Sequence, residues 1–272
     1  MTEDHLIELV AGPARLQIAP DAGGRLAGLN VAGLELLVTE RESTGDPLQW
    51  GAFPMAPWAG RVRRGRFSFD GSAYQLERTM PPNAIHGTTW YSEWHAERDG
   101  EAACRLTCDL EWPFGGRAVQ LVELEANAIN LTLEVEAGPA PMPAACGWHP
   151  WWRRDLTAGG TLELEFEAGK RWERGPDYLP TGDLVPVGER PLEGWDDCFT
   201  EVGAPPVLRW PGAVEVTVES DCRHLVIYDR PSHALCVEPQ TAPPDAFNNQ
   251  TAARVEPGRP LVAHTRWSWV LG

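Results

Sequence analysis

Three stretches of the chain alternate apolar and polar residues without a break: LTLEVEA from Leu131, TLELEFEA from Thr161 and AVEVTVES from Ala213. In extended backbone successive side chains point to opposite faces. A period of two therefore marks strands with one dry and one wet face, the pattern of antiparallel sheets. RFSFDGSAYQLER from Arg66 reads as a hairpin, with Asp70-Gly71 supplying the positive φ angles of a tight turn. A second hairpin is expected around Val31-Ala32-Gly33, between RLAGLN and LELLV. HLVIYD from His224 and LCVEP from Leu235 run apolar over several residues up to turn formers, as inner strands do. No segment holds a three-to-four-residue apolar period over three turns, so helices should be few and short. The expected fold class is all-β, a large antiparallel β-sandwich.

The 27 glycines and 25 prolines among 272 residues suit a fold with many turns. Glycine has no fixed period here, and 43% hydrophobic residues with 13 tryptophans exclude collagen-like or disordered chains. Most of those indoles are expected in the core, with some free to stack on the flat apolar face of a sugar. Sandwiches of this length form one domain, and no repeat, low-complexity tract or charge block divides residues 1–272. The proline-rich stretches GPAPMP (Gly138 to Pro143) and TAPPDAF (Thr241 to Phe247) adjoin chemically loaded residues and read as rigid site loops.

A formal charge of -16 argues against nucleic acid, a polyanion or a membrane surface as partner. A local arginine cluster can still bind one phosphate. The six cysteines are Cys104, Cys108, Cys146, Cys198, Cys222 and Cys236. The opening MTEDHLIELV has no basic n-region or long apolar stretch, so free thiols and a cytoplasmic location are expected. No second Cys or His pair completes a zinc cluster with Cys104 and Cys108, so no metal is expected. No run of roughly 18 uncharged apolar residues marks a membrane span. Nothing in the sequence specifies an oligomeric state.

The chemistry concentrates in three segments: NAIHGTTW with His86, CGWHPWW with His149, and CVEPQTAPPDAFN with Glu238. Singly, each also reads as a turn or core residue. Brought together at strand ends, one carboxylate and two imidazoles suffice for paired general acid and base catalysis.

In this order, and across most of the chain, these segments resemble the aldose 1-epimerase (galactose mutarotase-like) superfamily. GGRLAGLNVAGLELL resembles its opening strands, and APWAGRVRRGRFSFDGSAYQL resembles the segment with an Asn-Arg-Ile-like tripeptide before an Asp-Gly turn. Arg61 matches that arginine, which the resemblance implies contacts sugar hydroxyls, while Gly60 stands where the family usually has Asn. His86 matches the first family histidine, a partner of the sugar, with Thr88 in place of the second glycine usual after it. His149 matches the second histidine, the general acid. GWDDCF resembles the substrate-binding aspartate segment, and its spacing selects Asp196, with Asp197 as runner-up on the opposite face of a strand. Glu238, followed by Gln two residues on and then Pro-Asp-Ala, matches the general base.

The resemblance implies a sandwich of the galactose mutarotase-like supersandwich type and a sugar 1-epimerase that uses no metal or other cofactor. Glu238 would take the C1 hydroxyl proton, His149 would protonate the ring oxygen, and Arg61, His86 and Asp196 would hold the sugar. Three alternatives compete. A hexose-6-phosphate 1-epimerase would use arginines among Arg61, Arg63, Arg64 and Arg66. If that segment is a strand, Arg61 and Arg63 face one side and Arg64 and Arg66 the other. A non-catalytic carbohydrate-binding or sensing module has no need of both Glu238 and His149. A hydrolase would need a carboxylate pair such as Asp196 with Glu238, leaving the histidines without work.

Overall fold

The structure, a computed structural model, describes residues 6–43 and 45–272; the first five residues of the opening MTEDHLIELV lie outside the described residues. Among the described residues, seventeen strands join in one sheet system accompanied by three two-stranded ribbons. Among the described residues there is no α-helix, only single 3-10 turns such as Pro20–Ala22 and Thr89–Tyr91, and no helix long and apolar enough to cross a membrane.

One layer runs, by antiparallel pairing, through Ile7–Ala11, Ala14–Ala19, Arg25–Val31, Ala52–Met55, Gly147–Arg153, Ala234–Gln240 and His224–Tyr228. The other runs through His95–Asp99, Ala103–Asp109, Arg117–Glu125, Ala128–Glu136, Leu261–Leu271 and Val214–Ser220. The 15-residue strand Asp196–Trp210 belongs to both. Its first five residues pair with His224–Tyr228 and its last four with the start of Val214–Ser220. Register shifts where it meets Glu163–Arg174 let it bend from one layer to the other.

The core fills the space between layers, with Leu16, Ile18 and Leu29 from one side meeting Leu106, Val122, Leu131 and Trp267 from the other. One buried polar relay crosses it. The Trp148 indole donates to Gln120 Oε1 at 3.0 Å, and the Gln120 amide donates to the Gly24 carbonyl at 2.8 Å. Both expected hairpins form: Phe69 pairs with Ser72 across Asp70 (φ 47°) and Gly71 (φ 77°), and Val31 with Leu34 across Ala32 (φ 51°) and Gly33 (φ 90°).

Alternation along the first layer's strands decides what reaches its outer face. In Gly147–Arg153, Trp148 and Trp152 enter the core while His149 and Trp151 point away from it. In Ala234–Gln240, Leu235 and Val237 enter the core, leaving Cys236 and Glu238 opposite. Over that outer face the loops are tied by Arg25, a buried cation. It donates to the carbonyls of Ala22 (2.6 Å), Pro47 (2.7 Å), Trp50 (3.1 Å) and Trp90 (3.0 Å) and lies over the Trp50 ring at 4.1 Å. Burial lowers its pKa to about 9.

Candidate active site

Sheet register assembles the site. Cys198 pairs with Val226, Val226 with Glu238, and His149 with Phe53. The Gly147–Gln240 and Trp151–Cys236 pairs bracket His149 against Glu238. One cross-strand row therefore reads Phe53, His149, Glu238, Val226, Cys198. Two residues along, the next row reads Trp151, Cys236, Tyr228, Asp196. Residues of these rows, with loops above them, border a cavity of about 520 Å³, a size usual for a small-molecule site. Arg61, His86, His149, Asp196 and Glu238 all line it.

His149 and Glu238 form the centre. Nε2 of His149 lies 3.3 Å from Glu238 Oε1, and the two residues are 6% and 2% exposed. The imidazole is stacked between Phe53 (centroids 4.9 Å apart) and Trp151 (5.4 Å), so its plane is fixed by packing. Glu238 Oε2 accepts a 3.0 Å hydrogen bond from the Gln240 amide. Burial pushes the Glu238 carboxyl well above its usual range, helped by the charge of Asp196 and opposed by Gln240 and Arg61. Burial likewise lowers His149 to about 3, with Arg25 and Arg61 acting in the same direction. Burial disfavours both charged forms, which favours a carboxylic acid beside a neutral imidazole over a carboxylate beside an imidazolium.

His86 approaches from a loop, at φ 57°, with its ring perpendicular to His149 at 5.1 Å. The Gly60 N–H donates to His86 Nδ1 at 3.2 Å. Nδ1 is therefore the acceptor and Nε2 carries the proton of the neutral ring, which burial keeps neutral by lowering its pKa well below the ordinary value. Gly60 explains its own departure from Asn. Its φ is 66°, and a Cβ there would lie 2.9 Å from the Pro244 side chain, which occupies this part of the wall.

The aspartate pair separates by role. Asp197 accepts from Arg174 Nε at 3.0 Å and is 3.5 Å from Arg171, so its carboxylate is engaged by the neighbouring strand. Asp196 has no such partner among the described residues, and its charge acts on Glu238 and Tyr228. Two expectations need correction. Strand alternation does not govern the arginines, because Arg61–Val62 is followed by a 3-10 turn over Arg63–Gly65 with Arg64 at φ 53°. Arg61 alone of the four reaches the cavity, while Arg63 pairs with Asp177 and Asp245. GPAPMP is no site loop. Met142–Ala144 pairs with Ala253–Val255 and Met142 is core, whereas Pro244 of TAPPDAF does line the cavity.

Sequence reasoning missed Cys236, although it stands two residues before Glu238 on one strand and so shares its face. Donor atoms of His149, Cys236 and Glu238 lie within 4.8 Å of one another, an N, S, O set able to take a borderline-soft divalent ion. It also missed Arg174, Tyr178 and Arg230, which line the cavity from segments with no distinguishing pattern. All six cysteines are free.

The sequence matches the family described as aldose 1-epimerase over residues 5–268. The chain belongs to the aldose 1-epimerase family. Two relatives from Escherichia coli (strain K12) are named as uncharacterized proteins. YphB is 29% identical over 188 residues, which are 65% of this chain and 64% of YphB. YihR is 24% identical over 268 residues, 89% of this chain and 86% of YihR. Among solved structures, a galactose mutarotase-like protein from Clostridium acetobutylicum superposes with a TM-score of 0.86 at 18% identity, covering 98% of this chain and 95% of that one. A galactose 1-epimerase from Lactobacillus acidophilus NCFM gives 0.80 at 17% identity, with the same coverage. These likenesses are of fold, and the fold of the family is the all-β sandwich described above.

Proposed function

We propose that this member of the aldose 1-epimerase family interconverts the α and β anomers of a hexose or related aldose by opening and reclosing its ring. The observation that carries the reading is the buried His149–Glu238 pair, 3.3 Å apart at a sugar-sized cavity. Mutarotation needs one proton acceptor at the C1 hydroxyl and one donor at the ring oxygen. A pair that shares one proton supplies both. Passing that proton from Glu238 to His149 leaves the charge of the pair unchanged and creates a carboxylate beside an imidazolium. Glu238 then takes the C1 hydroxyl proton while His149 protonates the ring oxygen. The bond from C1 to the ring oxygen breaks and C1 becomes an aldehyde. Rotation about C1–C2 presents the other face, and reversed transfers close the ring as the opposite anomer. Each transfer contributes roughly a hundred- to ten-thousand-fold.

Arg61, the Nε2–H of His86 and the Asp196 carboxylate serve as donors and acceptor for the hydroxyls, holding the open chain in place. The reaction as written uses no metal or nucleotide. Six free thiols suit a reducing compartment, which supports a cytoplasmic location.

Polarimetry tests this directly. Freshly dissolved α-glucose, α-galactose and the α-anomers of anionic aldoses should reach anomeric equilibrium faster with wild type, and the acceleration should be lost in Glu238→Gln and in His149→Ala. Binding of a sugar without acceleration of any aldose would sink the catalytic reading in favour of a carbohydrate-binding module.

A further inference from the structure

Cys236, Glu238 and Gln240 stand at alternate positions of the strand Ala234–Gln240 and so share the face that carries the acid–base pair. Cys236 is fully buried in the apolar cluster that holds Phe53, Met55 and Trp151, while His149 and Glu238 open onto the cavity. The thiol therefore backs the pair rather than facing the cavity. No sequence spacing announces this grouping, because sheet register joins His149 to the other two.

His149, Cys236 and Glu238 present one nitrogen, one sulfur and one oxygen within 4.8 Å of one another. His149 Nε2 and Glu238 Oε1 are already 3.3 Å apart, close to the roughly 3.4 Å that separates two such ligands across a tetrahedral zinc ion. A closure of no more than about 1.2 Å brings Sγ to the roughly 3.6 Å expected between a nitrogen and a sulfur on one ion. Charge favours the set as well. Burial disfavours the Cys236 thiolate and the Glu238 carboxylate taken singly, but a divalent ion with one thiolate, one carboxylate and a neutral imidazole is neutral as a whole. Sulfur beside nitrogen and oxygen selects Zn2+ or Co2+ over Mg2+ or Ca2+, which take oxygen ligands. The cavity leaves a fourth position open to water. Gln240, whose amide already touches Glu238, has its Oε1 buried without a hydrogen-bond partner, an acceptor next to the three donors.

We propose that His149, Cys236 and Glu238 form an inhibitory site for Zn2+ or a similar borderline-soft divalent ion, built on the same pair that handles the sugar. Binding displaces the thiol proton and the proton held by the pair, and both leave to solvent. The ion then occupies the nitrogen and the oxygen through which the proposed reaction moves its protons. The binding site rests on ligand geometry alone, whereas the inhibition rests on the epimerase reading.

To test this, the full chain is stripped of metal with a chelator and titrated with Co2+ or Zn2+ salts while anomerisation of glucose and galactose is followed in parallel. Co2+ should bind with a near-ultraviolet thiolate-to-cobalt absorption, and X-ray absorption at the zinc edge should show one sulfur among nitrogen and oxygen neighbours. Cys236→Ser and Cys236→Ala should lose the cobalt absorption and weaken Zn2+ binding at least about tenfold, the low end of the cost of losing even an outer partner of a ligand. Cys198→Ser, which removes a thiol that lines the cavity, should keep both. Zn2+ should stop anomerisation by wild type and a chelator should restore it, and the Cys236 variants should need at least about tenfold more Zn2+ for the same fractional inhibition. A bound zinc with no sulfur neighbour in wild type would overturn the proposal, a result that needs no variant to fold. Unchanged Zn2+ affinity in both Cys236 variants would do the same, and sulfur-ligated binding that leaves anomerisation intact would refute the inhibitory role. If no aldose turns over even without metal, the epimerase reading fails on its own, and the cobalt and zinc-edge spectra still decide the ion site.

Discussion

The Gln240 amide touches one oxygen of Glu238 and nothing on His149, so Gln240→Met separates the two titrations of the pair. Deleting a hydrogen bond to a carboxylate removes roughly 1.5–3 kcal/mol from the ionised form. At about 1.4 kcal/mol per unit, Glu238 should rise by about 1–2 pKa units. With burial favouring the neutral pair, the prediction for the free enzyme is a working state with one proton, on Glu238. Its loss on the alkaline side ionises Glu238, whereas a second proton on the acid side goes to His149 while Glu238 is already neutral. Only the alkaline limb of kcat/KM against pH should therefore move, upward by about 1–2 pH units, with the acid limb unchanged. The assay is initial anomerisation rate at limiting substrate from about pH 2.5 to 10, so that the range spans the acid limb set by His149. If instead the acid limb moves up and the alkaline limb stays, Glu238 is ionised and His149 protonated in the free enzyme, and the burial argument is wrong.

Three further outcomes are expected. His149, lowered to about 3 in the fold, stays neutral where the unfolded chain protonates it near 6.5, so its contribution to stability is lost as pH falls from about 6.5 toward 3. The slope is up to about 1.4 kcal/mol per pH unit. His149→Phe should gain stability relative to wild type across that window in urea titrations; parallel curves would refute the neutral imidazole. Gln120→Leu leaves the Trp148 indole and the Gly24 carbonyl unpaired in the core, and should cost about 2–5 kcal/mol in urea unfolding with little change in slope. Gly87→Ala, at φ 78° and against the Ala56 carbonyl, should displace the His86 loop, lowering both the melting temperature and sugar affinity, and an unchanged affinity would count against His86 as a sugar contact.

What the sequence made legible follows from local rules. Alternation in LTLEVEA and AVEVTVES and the Asp70-Gly71 turn depend on nearest neighbours, and these elements form where expected. The candidate residues were legible because His86, His149 and Glu238 sit in segments with unusual neighbours, and the fold brings all three to one cavity. Cys236 was readable from its i−2 position but carries no motif. The Arg174–Tyr178–Arg230 cluster was not readable, since it depends on which strand ends meet across 50 or more residues. Arg63, Arg64 and Arg66 do not alternate as strand residues would, because the chain leaves the strand at a 3-10 turn over Arg63–Gly65 with Arg64 at φ 53°.

The proposed activity is the interconversion of anomers by one buried pair, His149 and Glu238. Two-dimensional exchange NMR on an equilibrated aldose measures that exchange directly, without net reaction. Cross-peaks between the α and β anomeric protons should appear with catalytic wild type, for a neutral or an anionic sugar, and should disappear in both Glu238→Gln and His149→Phe. Cross-peaks that persist at wild-type intensity in either variant, or that are absent with wild type for every aldose, would contradict it.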